Sequence, residues 1–415
     1  MLHSLLPRAH DKFLSLRLLG PIIDGFDDWL AARSFTRGSR KFSIRMLPYV
    51  DANLRHRRVH NVAELSHPVL HDCWKALMKV YPCGAGTVHT LERYLVASGL
   101  IVDGRQTTAT TQISTLSEEY ANHLCEVRGF APSTVTSHRR TALCFLQHLK
   151  EAGIALGSIR SRNVESYITK AGTRLGRGSL QHDIAALRGF LRFLSADGRA
   201  PTGLDRQIDT PRLYRLEQLP RALPWETVRT LLQSVDRTSA MGLRDYAMFL
   251  LIATYGLRSS EIVAISLEDI SWRHRILRIH QRKTSSPLEL PLTNEVLGAL
   301  ARHLKRTPPP APYRRVFLRM RAPMGLLKPT AVTEVFQALV RKSGLSIPYQ
   351  GPHCLRHSYA VHLLKNRTPL KTIGDILGHR TAESTSMYLR LATGDLRDVA
   401  LPVPGSRYSG KEAQC

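Results

Sequence analysis

Gly351-Pro-His-Cys-Leu-Arg-His-Ser358 is the stretch on which the reading of this chain turns. His353 and Arg356 stand three residues apart, and at a helix start that spacing puts them on one face, where both can reach one phosphate. Taken alone, ordinary helix-start packing accounts for the pair equally well. Working upstream, Tyr255-Gly-Leu-Arg-Ser-Ser-Glu-Ile262 sets Arg258 just after a near-continuous apolar helix, with Glu261 one helical turn on. A buried arginine needs an anion, and either Glu261 or a phosphate can supply it. Between these segments Lys283 occupies the tip of a hairpin, where a long amine either reaches into a cleft or is simply solvated. Downstream, Leu377-Gly-His-Arg380 ends a helix at Gly378 and leaves His379 just beyond it, a place that favours a cation through the helix dipole. Thr385-Ser-Met-Tyr388 then puts Tyr388 nine residues after His379.

Each residue has a bland reading, but the set has a chemical one. Two arginines, two histidines, a lysine and a tyrosine are the parts for phosphoryl transfer without a metal. The arginines offset charge on the non-bridging oxygens. A phenol of pKa ~10 needs activation, and adjacent cations lower that value. Lys283 can protonate the leaving sugar oxygen as a general acid. A covalent phosphotyrosine conserves the energy of the broken bond, so resealing needs no ATP.

Composition narrows the classes. The chain has 415 residues, 43% of them apolar and 22% charged, which excludes a disordered tail, a collagen-like fibre and a disulfide-stapled miniprotein. Lys plus Arg number 59 against 33 Asp plus Glu, a net charge of +26 that points to a polyanionic partner. Six cysteines without a C-x-x-C pair argue against a zinc module or disulfide framework and suit a reducing cytosol. The longest apolar run, around Tyr246 to Leu257, is about half of the ~20 residues a membrane span needs. His3, Arg8, Asp11 and Lys12 interrupt any secretory h-region. No G-x-x-x-x-G-K-[ST], H-E-x-x-H or G-x-S-x-G occurs, so no nucleoside triphosphatase, zinc protease or serine hydrolase is signalled. The expectation is a cytoplasmic, nucleic-acid-binding protein of several domains.

The expected organisation has five parts. Residues 1–108 form a helical region of unknown role, in which Arg33 to Arg58 carries eight basic residues against Asp51 alone. That run either tracks a DNA backbone or is a solvated helix face. Residues 109–198 read as a helical domain: Ser133 can cap one amphipathic helix, and Ser179 can start another with Leu180, Ile184, Leu187, Leu191 and Leu194 on one face. Residues 199–222, with Pro201, Pro211 and Pro220 and Arg206, Arg212, Arg215 and Arg221, read as an extended basic linker. Residues 223–400 form the catalytic domain. It is mainly α, with a short antiparallel β-sheet made from Ile276–Ile279 and Leu288–Leu292. Residues 401–415 are a tail.

The segments resemble those of the tyrosine recombinase (phage integrase) family in order and spacing: Arg258 with Glu261, Lys283, His353-x-x-Arg356, Gly378-His379 and Thr385-x-x-Tyr388. Arg244-Asp245, Leu267-Glu-Asp-Ile270 and Ile373-Gly-Asp-Ile-Leu377 are supporting matches. The resemblance implies that Tyr388 is the nucleophile of a DNA-cutting and rejoining enzyme carried by a mobile element, with Arg258, Lys283, His353, Arg356 and His379 around it. It implies a clamp of helical core-binding domain and catalytic domain on double-stranded DNA. Four protomers would assemble in the synaptic complex, with no metal and no cofactor, and related recombinases encoded nearby are further candidate partners. The competing readings are a type IB topoisomerase and a catalytically silent DNA-binding accessory subunit. Residues 1–108 do not match the family's usual arm domain.

Overall fold

The computed structural model describes residues 2–7, 9–101, 112–214, 217, 219–280, 287–379 and 381–391. The chain divides into two compact units, Met1–Trp29 with Arg37–Glu217 and Leu30–Thr36 with Gln218–Cys415. No described helix is long and apolar enough to cross a membrane.

The first unit begins with α1 (Leu2–Leu5), α2 (His10–Leu14), α3 (Ile23–Ala32), α4 (Arg37–His56), α5 (His67–Val80) and α6 (Pro82–Ala97). Part of the basic run that the sequence left open between a DNA-tracking segment and a solvated helix face is engaged locally. The buried Asp27 carboxylate receives Arg40 through Nε at 2.8 Å and Nη2 at 2.6 Å. The buried Asp51 receives Arg55 Nε at 2.7 Å and the backbone N–H groups of Leu18 and Leu19. A buried carboxylate is costly unless paired, so these two arginines are accounted for by folding.

The unit continues with α7 (Gln112–Glu126), α8 (Pro132–Glu151), α9 (Ser161–Gly172) and α10 (Arg177–Ala196). Leu116, Tyr120, Phe145, Leu149, Leu187, Phe190 and Leu194 form one core, as the 3.6-residue spacing of apolar positions requires. Both helix starts expected at a serine begin earlier. Helix α8 starts at Pro132, whose missing N–H costs nothing in the first turn, and α10 starts at Arg177 after Gly176. The proline-rich stretch is not extended throughout: Ala200, Leu204 and Ile208 are buried in the same core. Arg188 fixes that stretch by donating to the carbonyls of Asp205 and Ile208.

In the second unit, α11 (Trp225–Gln233) precedes α12 (Ala240–Tyr255), which is buried on every side. A helix apolar all round belongs in a core. Ser239 caps it, its Oγ accepting from Gly242 N at 3.0 Å. After the short α13 (Ser259–Ile262) come β1 (Ile270–Ser271), β2 (Ile276–His280) and β3 (Pro287–Pro291) in an antiparallel sheet of order β1-β2-β3. Its register pairs Leu277 with Leu290 and Ile279 with Leu288. Then follow α14 (Asn294–Arg306), a small hairpin of β4 (Leu318–Arg319) and β5 (Gly325–Leu326), α15 (Pro329–Ser343), α16 (His353–Lys365), α17 (Leu370–Leu377) and α18 (Glu383–Ser386). A 3₁₀ turn at Met387–Leu391 carries Tyr388. Phe249, Phe317, Phe336, Leu300 and Leu355 anchor the core, each such side chain contributing about 1.5–3 kcal/mol by burial. The supporting pair Arg244-Asp245 is structural: the buried Arg244 binds Asp245 Oδ1 at 2.7 Å and the Leu318 carbonyl at 3.1 Å.

Candidate active site

Helix α12 ends at Gly256, whose φ of 64° lies in the left-handed region that favours glycine. A Cβ there would also meet the Leu377 side chain, Cδ2 at 2.5 Å, so a larger residue would have to displace that buried leucine. The chain leaves this turn extended and delivers Arg258 to the start of α13. Glu261 then holds Arg258 twice, accepting from its backbone N at 2.8 Å and from Nη1 at 2.7 Å. Both readings of the Arg–Glu pair left open by the sequence are therefore compatible. Glu261 is buried and positions the guanidinium, whose Nη2 faces the Gly378 carbonyl at 3.4 Å.

Arg356 sits in the first turn of α16, only 3% exposed. It donates to the carbonyls of Gly256 and Leu377, at the ends of α12 and α17. Helix C-termini present carbonyl dipoles, so a cation is well placed there. Burial, and then the nearby Arg258, bring its pKa down to about 10, which leaves it charged at neutral pH.

Helix α17 closes on Gly378 at φ 61° and presents His379. His379 Nδ1 lies 2.9 Å from Thr385 Oγ1, which gives the threonine of the T-x-x-Y segment a positioning task. Burial, followed by Arg356, Arg258 and His353, lowers the His379 pKa to about 4. Tyr388 is 1% exposed, packed with Ala360, Val361, Ile373 and Leu377. Its ring lies nearly parallel to that of His379, 6.3 Å between centroids. The cations do act on it as expected, but burial outweighs them: the phenol pKa is raised, with Arg356 and Arg258 opposing the shift. Neighbouring cations alone therefore do not activate it.

His353 is exposed at the start of α16, its ring perpendicular to that of His357 and 4.6 Å away. Together the structure gathers Arg258, Glu261, Arg356, His379 and Tyr388, with His353 at the margin beside a cavity of about 320 Å³. Lys283 lies outside the described residues, on the connection between β2 and β3. The C-terminal residues 401–415 lie outside them as well. Sequence reasoning gave His357 no role, yet its Nδ1 lies 3.0 Å from the Tyr388 hydroxyl. The available signal was its position four residues after His353, one turn along the same helix face.

Comparison with known proteins follows this division. Residues 221–394 match the Phage integrase family, and residues 117–198 match the Phage integrase N-terminal SAM-like domain. A putative integrase/recombinase of Sinorhizobium fredii is 33% identical over 290 residues, 69% of this chain and 70% of that protein. Tyrosine recombinase XerD of Listeria monocytogenes is 27% identical over 290 residues, 68% of this chain and 96% of its own. Among solved structures, the XerH recombinase bound to a palindromic difH substrate shares the fold at a TM-score of 0.55 and 16% identity. That likeness covers 71% of this chain and 85% of XerH. A dimer of lambda integrase residues 75–356 on a core site shares it at 0.52 and 17% identity, covering 72% of this chain and 99% of that fragment.

Proposed function

This chain belongs to the phage integrase family of tyrosine recombinases, and from that premise we propose how its residues cut and rejoin DNA. The protein is a site-specific recombinase, an enzyme of DNA strand breakage and rejoining. Tyr388 attacks the scissile phosphorus, giving a 3′-phosphotyrosine and a free 5′-hydroxyl. Arg258 and Arg356 neutralise the non-bridging oxygens, and His353 and His379 hydrogen-bond to the same phosphate. The single observation that carries this reading is that both guanidinium groups, from distant sequence segments, meet on the adjacent carbonyls of Leu377 and Gly378, within electrostatic reach of the buried Tyr388. Double-stranded DNA is the partner, and four protomers exchange strands in pairs within the cytoplasm. Related recombinases encoded nearby are candidates for mixed assemblies. No metal or cofactor enters the scheme.

The test uses the full chain, with a chelator present, and two linear duplexes that carry its site and differ in length. Expected are recombinant products of exchanged flanks. Relaxation of a supercoiled plasmid without exchange would move the reading to a topoisomerase, and binding without covalent capture would move it to an accessory protein.

Lys283 is the proposed acid for the 5′-oxygen. A substrate with sulfur at the 5′-bridging position needs no protonation of its leaving group, so it is expected to restore most cleavage to Lys283→Ala. Equal defects on the oxygen and sulfur substrates would remove Lys283 from this role.

A further inference from the structure

We propose that His357 is the proton acceptor for Tyr388, taking the phenol proton as the oxygen attacks and returning it when the strand is resealed. The inference rests on the reading of Tyr388 as nucleophile. His357 follows Arg356 directly in α16, and its Nδ1 stands 3.0 Å from the Tyr388 oxygen. The two other histidines gathered at the site are placed differently. His379 has its Nδ1 committed to Thr385 and turns a ring face toward the tyrosine ring. His353 lies on the exposed margin, across the His357 ring.

The surroundings keep His357 in the form the task needs. The groups that act on its charge are His353, Arg356, His379 and Arg221, and with burial as the largest effect they hold its pKa at about 4. The imidazole is therefore neutral near pH 7 and has a lone pair to offer. Burial meanwhile holds Tyr388 above the usual phenol value, so the phenolate does not form unaided. The scissile phosphate brings negative charge that opposes the cationic neighbours and favours the imidazolium.

The step balances. The bond from the Tyr388 oxygen to phosphorus forms, its proton passes to His357 Nδ1, and the bond from phosphorus to the 5′-oxygen breaks with a proton from the acid. On resealing, the 5′-hydroxyl attacks and gives its proton back to that acid. The bond to Tyr388 breaks, and His357 returns the first proton to the phenolate.

The experiment follows covalent capture of a suicide substrate in a single turnover by full-length His357→Ala and His357→Gln, with Tyr388→Phe alongside. Expected is a loss of about 10²-fold or more in capture at neutral pH with unchanged site binding. In the variants the rate is expected to climb with hydroxide from pH 6 to 9, where the wild-type rate is expected to be nearly flat. The cavity of about 320 Å³ that borders His357 gives added imidazole a route in, so imidazole is expected to restore part of the His357→Ala rate. If His357→Ala melts early, His357→Gln carries the pH measurement. Near-wild-type capture with an unchanged pH profile overturns the proposal. So does a slow variant with an unchanged profile and no imidazole rescue, because that is how a purely structural contact behaves. An adduct on a tyrosine other than Tyr388 would instead remove the nucleophile assignment, and is read separately by peptide mass.

Discussion

Replacing Tyr388 with Phe is expected to remove the covalent protein–DNA complex altogether while leaving fold and site binding close to normal. The substitution deletes one oxygen from a ring that is 1% exposed and keeps its packing on Ala360, Val361, Ile373 and Leu377. The structural loss is the single hydrogen bond to His357, about 1 kcal/mol. The chemical loss is complete, because the nucleophilic atom itself is gone. Tyr359 is no substitute: its ring packs against the Gly256 turn. The check is a suicide substrate nicked near the cut, incubated with a chelator, followed by mass mapping of the adduct peptide. Cleavage persisting in Tyr388→Phe would overturn the assignment, as would an adduct at Tyr359 or Tyr408. A strict metal requirement would overturn the mechanism as a whole.

The arginines are expected to give the next largest effects, and to differ from one another. Arg258→Lys and Arg356→Lys should each cut cleavage by ~10²-fold or more, since a point charge cannot replace a planar fork on two phosphate oxygens. Arg258 pairs with the buried Glu261, and Arg258→Lys keeps a cation beside that carboxylate, so it should cost less stability than removing the charge altogether. Arg356 links the ends of α12 and α17 through two carbonyls, which a lysine amine cannot bridge in the same way. Its variant should therefore also melt earlier, by an amount that corresponds to roughly 1–3 kcal/mol for a disrupted buried polar contact. Cleavage is best compared well below both melting temperatures. Near-normal cleavage by both lysine variants would count against the oxyanion role.

The segments that the structure brings together were legible because each combines a turn or cap with a residue type that has few bland uses in company. Gly256 and Gly378 end helices at positive φ, as glycines at helix ends often do, and each hands the chain to a residue of the gathered cluster. The β2–β3 hairpin followed from two short apolar runs flanking a polar turn. Helix starts were less legible. Serines mark caps only statistically, and Pro132 competes for the first turn by being preorganised for it. The packing of Leu204 and Ile208 against the helical core was hidden, because a proline-rich stretch advertises extension and three spaced apolar residues do not advertise burial. His357 went unread for a different reason. Its spacing of four residues from His353 puts it on the same helix face but names no partner, and only the fold of Met387–Leu391 brings Tyr388 to it. The balance of effects on the Tyr388 pKa was equally out of reach, since burial is a property of the packed unit.

Arg356 brings a trade-off with it. Its hydrogen bonds run to carbonyl oxygens, which solvate a cation without cancelling its charge, and the carboxylate of Glu261 is already committed to Arg258. A carboxylate introduced beside Arg356 would make a more comfortable resting protein, and under the proposed mechanism it would also occupy the place the scissile phosphate takes. Thermal robustness and turnover are thus set against each other at this guanidinium, and efforts to harden the enzyme belong elsewhere in the chain.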